Sequence, residues 1–182
     1  DYDPKYLKII PQDVLDRDYG CGDPSRYVRK GDTVLDLGSG GGKICFIASQ
    51  IVGPEGKVIG IDMTDDMLSL ARANAPIIAE SLGYANVEFK RGHIEDLKLD
   101  LDKLSNWLNE HPIKNLSDLE KLEAETLRMK SELTMIPDNS VDVIVSNCVL
   151  NLVSDRKKKQ LFHEMFRVLK VGGRIAVSDI VS

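Results

Sequence analysis

The strongest constraint on the fold is a Gly-rich turn that closes a short apolar run. Thr33-Val34-Leu35-Asp36-Leu37 reads as a buried strand, and it breaks into Gly38-Ser39-Gly40-Gly41-Gly42. A loop without side chains lets the backbone approach a ligand closely. A helix is expected from Lys43 to Val52, stopped by Gly53-Pro54. The same alternation then repeats. Lys57 to Ile61 is a second strand, ending at Asp62, and Thr64 is expected to cap a helix running through Leu82 with a bend at Pro76. Val87 to Lys90 is a third strand and Val141 to Ser146 a fourth. Ser154 opens a helix with Leu161, Phe162, Met165, Phe166 and Leu169 on one face, and Gly172-Gly173 turns the chain into a fifth strand, Arg174 to Val177. Continuous apolar strands alternating with amphipathic helices predict an α/β fold, a doubly wound, mostly parallel sheet covered on both faces. Such sheets bind ligands beyond the carboxyl ends of their strands.

Two segments stand outside this rhythm. At the start, Tyr6 to Val14 is a short helical stretch interrupted by Pro11, followed by a turn from Tyr19 to Ser25. After the third strand comes a helical insertion, residues 98–135. In it Leu101, Leu104, Trp107 and Leu108 mark one helix ended near Pro112. Ser117 and Glu120 have the capping-box spacing that would open a second, with Leu119, Leu122, Met129 and Leu133 on one stripe. The insertion reads either as a solvated helical hairpin on the edge of the domain or as a lid rooted on the ligand side of the sheet.

The remaining features bound the class of protein. The 182 residues suit one domain, 1–182, and a net charge of -5 speaks against general nucleic-acid binding. No apolar run approaches a bilayer span, and the start has no signal-peptide pattern, so no membrane association is expected. Three cysteines without close spacing suit a reducing, cytoplasmic setting rather than a disulfide framework. The chain begins without an initiator Met and is expected to be a piece of a longer protein. Nothing in the sequence sets an oligomeric state.

The loop chemistry narrows the ligand. A dinucleotide fingerprint would place a third Gly where Lys43 stands, and Asp36, two residues before Gly38, would sit poorly beside a pyrophosphate. A ligand with a sulfonium and an amino group and no phosphate suits an acidic site better. A lone Asp at a strand end is usually a turn or cap residue, but following this loop at this spacing Asp62 reads as the acceptor of hydrogen bonds from both ribose hydroxyls.

In these segments the chain resembles the class I S-adenosylmethionine-dependent methyltransferases, a Rossmann-like family. Val34 to Gly42 resembles their first motif, Val58-Ile59-Gly60-Ile61-Asp62-Met63 their acidic second-strand motif, Gly92-His93-Ile94-Glu95-Asp96-Leu97 their adenine-side loop, and Leu169 to Arg174 the turn before the fifth strand. The resemblance implies S-adenosyl-L-methionine as cofactor, with Asp36, Gly38, Ser39, Gly40, Asp62, Met63, His93, Ile94, Glu95 and Asn147 around it. His93 stands where the family often has Asp. It also implies that five of the usual seven strands are present here.

Two cysteine segments resemble arsenite methyltransferases more narrowly: Asp18-Tyr19-Gly20-Cys21-Gly22 and Val145-Ser146-Asn147-Cys148-Val149-Leu150-Asn151-Leu152. That resemblance assigns Cys21 and Cys148 the binding of trivalent arsenic, supplied as arsenite, as catalytic ligands and not as a structural metal site. Soft arsenic prefers thiolates, and its lone pair needs no general base. The family carries further cysteine beyond the fifth strand, so cofactor binding is expected of this piece before turnover. The residues alone leave other readings open. Free cysteine is commonly a small buried hydrophobe, which is the expectation for Cys45, and His111 and His163 read as structural. A methyltransferase for another small molecule, a non-catalytic cofactor- or arsenic-binding module, and a nucleotide-dependent oxidoreductase are the alternatives.

Overall fold

In the computed structural model, which describes residues 2–17 and 21–179, the apolar runs form five parallel strands. They are β1 (Thr33–Leu37), β2 (Lys57–Asp62), β3 (Val87–Arg91), β4 (Val141–Asn147) and β5 (Leu169–Ser178), in the order β3-β2-β1-β4-β5. The helices are α1 (Pro4–Leu7), α2 (Gln12–Asp16), α3 (Lys43–Val52), α4 (Asp65–Leu82), α5 (Leu101–Glu110), α6 (Leu116–Glu132) and α7 (Asp155–Val168). The chain runs outward from β1 to β3, then returns to add β4 on the other side of β1. That reversal leaves a crevice between the ends of β1 and β4, the place where doubly wound sheets bind ligands.

Alternation along the strands builds two cores. Val34, Val58, Val143 and Val145 face α3 and α4, packing with Phe46, Ile47, Leu68, Ala71 and Ile78. Their neighbours Leu35, Ile59 and Ile144 point the other way, onto Leu161, Met165 and Val168 of α7. No helix among the described residues is long and apolar enough to cross a membrane.

Several local expectations are corrected. The opening stretch is two short helices, with Pro11 at the N-cap of the second. Thr64 occupies the N-cap of α4 without a side-chain cap bond, and the helix continues through Pro76. The second helix of the insertion is capped not by Ser117 but by Asn115, whose Oδ1 accepts from the Asp118 N–H (3.1 Å); a stronger capping residue two positions earlier starts the helix there. Leu119 and Leu133 are exposed, and Met129 is the buried residue of α6. On α7, Leu161, Met165 and Val168 form the buried stripe, whereas Phe162 and Phe166 are 55% and 84% exposed. One step along a helix turns a side chain by about 100°, which carries the two phenylalanines off the sheet-facing side. Leu169 belongs to β5, which pairs with Val141 and passes through Gly172 and Gly173. Gly172 has φ +79°, so the turn is absorbed as an irregularity in the ladder between Val141 and Val143.

Candidate active site

The Gly-rich loop is spliced to the end of β2 by the backbone. The N–H groups of Gly38 and Ser39 both donate to the Ile61 carbonyl (2.8 and 3.0 Å). Asp62 then uses both carboxylate oxygens: Oδ2 accepts from the Gly40 N–H (2.9 Å) and Oδ1 from the Thr64 N–H (2.8 Å). One acidic side chain thus fixes the loop and the start of α4 together. Gly38 has φ +80°, and a Cβ there would lie 2.5 Å from the Val149 side chain. At Gly40, φ +52°, a Cβ would meet nothing within 4 Å, so the loop opens onto free space on that side. The Ser39 hydroxyl is buried with no hydrogen-bond partner among the described residues.

Two adjoining cavities flank this loop. One, about 450 Å³, is walled by Met63, Ile94, Val149, Leu152 and Val153, with Asp62, His93, Glu95 and Lys157 at its polar positions. Met63 and Leu152 stand 58% and 81% exposed beside it, large apolar side chains left uncovered at a cleft. The other, about 290 Å³, is bounded by Asp36, Gly38, Ser39, Gly40, Lys43, Asp62, Asn147 and Cys148. Asp36 and Asp62 place two carboxylates along one groove, a setting for a cationic ligand.

The supporting contacts are specific. Asp36 is buried and accepts from the Cys45 Sγ–H (3.3 Å). Burial pushes the Cys45 thiol well above its ordinary value, and the charge and hydrogen bond of Asp36 add to that, so Cys45 stays a protonated donor beneath the loop. Glu95 pairs with Lys157 (2.5 Å). Burial would raise the Glu95 carboxyl, but the Lys157 hydrogen bond, a backbone bond and the Lys157 charge together hold it below the usual range. His93 forms a backbone bridge with Asp96 and lines the larger cavity. His111 bonds the Trp107 carbonyl through Nδ1 (2.9 Å) and stacks on that indole, away from the cleft, while His163 is exposed on α7.

Cys21 and Cys148, 127 residues apart in sequence, are brought together with Cα atoms 5.8 Å apart, within disulfide reach, a pairing that the cysteine spacing did not lead one to expect. Cys148 follows β4 at φ +57° and borders the smaller cavity. Asp18, Tyr19 and Gly20 of the first cysteine segment lie outside the described residues. Asn147, expected at the cofactor, borders the same cavity, but its carboxamide is turned to the Cys21 segment: Oδ1 accepts the Cys21 N–H (2.9 Å) and Nδ2 donates to the Gly22 carbonyl (3.0 Å). No group of three or more His, Cys, Asp or Glu side chains able to hold a metal ion occurs among the described residues.

Sequence reasoning missed part of this wall. Val149, Leu152 and Val153 lie within or just after the second cysteine segment, where their apolar character was the available signal. Lys157 reaches Glu95 across 62 positions, and no local pattern announces that pair.

Comparison with known proteins agrees with this architecture. A family model described as a methyltransferase domain matches residues 28–129 and 110–182. The chain is similar to an arsenite methyltransferase of Aquipseudomonas alcaligenes, 37% identical over 96% of this chain and 40% of that protein. It is also similar to one of Halobacterium salinarum, 38% identical over 93% of this chain and 33% of that protein. Among solved structures it resembles CrArsM, an arsenic (III) S-adenosylmethionine methyltransferase from Chlamydomonas reinhardtii, with a TM-score of 0.72 and 31% identity, over 97% of this chain and 48% of that one. The chain therefore spans 40% or less of the length of these two curated relatives.

Proposed function

The chain belongs to the methyltransferase-domain family, and from that membership we propose that it binds S-adenosylmethionine in the cleft and serves methyl transfer to trivalent arsenic held by Cys21 and Cys148. The observation that carries this reading is the pairing of two distant cysteines at the rim of the cavity formed by the Gly-rich loop. Relatives named as arsenite methyltransferases support the same acceptor.

The residues present fit the cofactor. The open side of Gly40 and the unpartnered Ser39 hydroxyl leave room and a hydrogen-bonding group at the loop. Asp62 keeps lone pairs for ribose hydroxyls beyond the two backbone N–H groups it already accepts. Met63, Ile94 and Leu152 offer apolar surface for adenine, with His93 and Glu95 at the edge of the same cavity. Asp36 supplies negative charge for a cationic amino-acid end. When bound, the cofactor supplies a methyl group on a sulfonium sulfur, leaving as the neutral thioether once the methyl has moved.

The chain's own part is to hold and align. Reduced Cys21 and Cys148 supply a soft dithiolate for the arsenic substrate, and their place beside the loop sets the acceptor against the cofactor's reactive end. Arsenic attacks through its own lone pair, so no side chain need remove a proton. Alignment and exclusion of water supply the acceleration.

The test uses the full-length protein with thiol reductant, S-adenosylmethionine and arsenite, and mass spectrometry of methylated arsenic. Product is expected, falling at least about 100-fold in Cys21→Ser and Cys148→Ser, as for loss of a substrate ligand. No product from arsenite, with another acceptor methylated equally by wild type and Cys148→Ser, would end the arsenic reading.

A further inference from the structure

Residues 21–23, which carry Cys21, belong to no helix or strand and lead into the 3-10 turn at Pro24–Tyr27. Besides the pairing of Cys21 with Cys148, what fixes this segment is a side chain at the end of β4. Asn147, the last residue of β4 and the neighbour of Cys148, accepts the Cys21 N–H at Oδ1 (2.9 Å). Its Nδ2 donates to the Gly22 carbonyl (3.0 Å) and to the Tyr2 hydroxyl (3.2 Å), and that hydroxyl donates to the same Gly22 carbonyl (2.6 Å). Gly22 lies against Ser178, where any Cβ would overlap the serine side chain. The Cys148 N–H is itself pinned to the Ser178 carbonyl (2.8 Å). Both cysteines are therefore referenced to the same two strand ends, β4 and β5.

We propose that Asn147 is the positioning residue of the cysteine pair: its carboxamide sets the separation of Cys21 from Cys148, so that both sulfurs can reach one arsenic atom. The chemistry requires an amide. Cys21 needs an acceptor while Gly22 and Tyr2 need donors, and a carboxamide presents both at once. A carboxylate has no donor and would face the Gly22 carbonyl with charge, and an aliphatic side chain offers neither. Three of the four hydrogen bonds an amide can make are spent here, which turns Asn147 toward the thiols rather than toward the cofactor. The arsenic ligand rests on the function proposed above; the spacing of the thiols does not.

Two readouts keep the claims apart. The first is the effective concentration of the Cys21–Cys148 pair, measured on the chain in glutathione buffers with peptide mass spectrometry. The second is arsenite affinity of the reduced chain. Asn147→Asp and Asn147→Leu are expected to lower both by about tenfold or more, the scale of losing one or two hydrogen bonds. Tyr2→Phe, which removes only the hydroxyl, is expected to lower both by about two- to fivefold. A lowered thiol equilibrium with no arsenite binding in wild type sinks the arsenic reading and leaves the positioning role standing. If folded Asn147 variants keep the wild-type thiol equilibrium, or change only S-adenosylhomocysteine affinity, the positioning role is wrong. Should the Asn147 variants not fold, an unchanged thiol equilibrium in Tyr2→Phe overturns it.

Discussion

A carboxylate can satisfy two N–H groups from different segments, and Asp62 does so for Gly40 and Thr64. An amide at this position keeps one carbonyl oxygen and turns an NH2 group toward a donor. Asp62→Asn is therefore expected to weaken S-adenosylhomocysteine binding by tenfold or more and to cost about 0.5–1.5 kcal/mol in urea unfolding, the net worth of one hydrogen bond at a half-exposed site. Calorimetric titration and denaturation curves check the two effects separately. Cys45 illustrates the opposite case. The sequence marked it as a small apolar residue, and it is fully buried, yet its thiol donates to Asp36 and so holds the orientation of a carboxylate at the groove.

At the scale of elements, the strands were legible because β-branched and leucine runs announce a sheet buried on both faces. Lys43 to Val52 was legible as a helix to the residue because Gly42 and Gly53 bound it on either side. Boundaries failed where two cues competed. Asn115 caps α6 ahead of the Ser117 pattern, and the Gly172-Gly173 pair bends a strand that it was expected to begin. The helical insertion closes on itself at its root, where the Met135 and Ile136 N–H groups donate to the carbonyls of Lys98 and Leu97 (both 2.9 Å). Residues 98–134 line neither cavity at the Gly-rich loop. Met135, by contrast, packs against Gly92, which lines the larger one. Replacing residues 101–133 with a short Gly/Ser linker is therefore expected to leave cofactor affinity within about threefold, since loop length costs little once the ends are held. A loss beyond tenfold, measured by titration, would make the insertion part of the site.

At the scale of the whole molecule, β5 is the last strand of the sheet order, and Val171, Ile175 and Val177 on it are exposed along with Phe162 and Phe166 on α7. An apolar sheet edge with no strand beyond it among the described residues is a template for association. The 182-residue chain is expected to self-associate as its concentration rises in sedimentation velocity, and Val177→Lys with Phe166→Lys to shift it toward monomer. A monomer at all concentrations would refute this. The periodicity of α7 was legible, but which of its two apolar stripes the sheet would cover was not, because that depends on contacts with strands distant in sequence.

The clasp at Cys21 also dictates a timetable. Its anchors among the described residues include Asn147 and Ser178, so Cys21 is held beside its partner only once β4 and β5 are in place. During synthesis the Cys21 thiol emerges first and stays unpaired until the residues through Ser178 have left the ribosome. A pair gathered across 127 positions exists only where this sheet has formed, so misfolded or interrupted copies would carry single thiols and no two-point grip on a soft element.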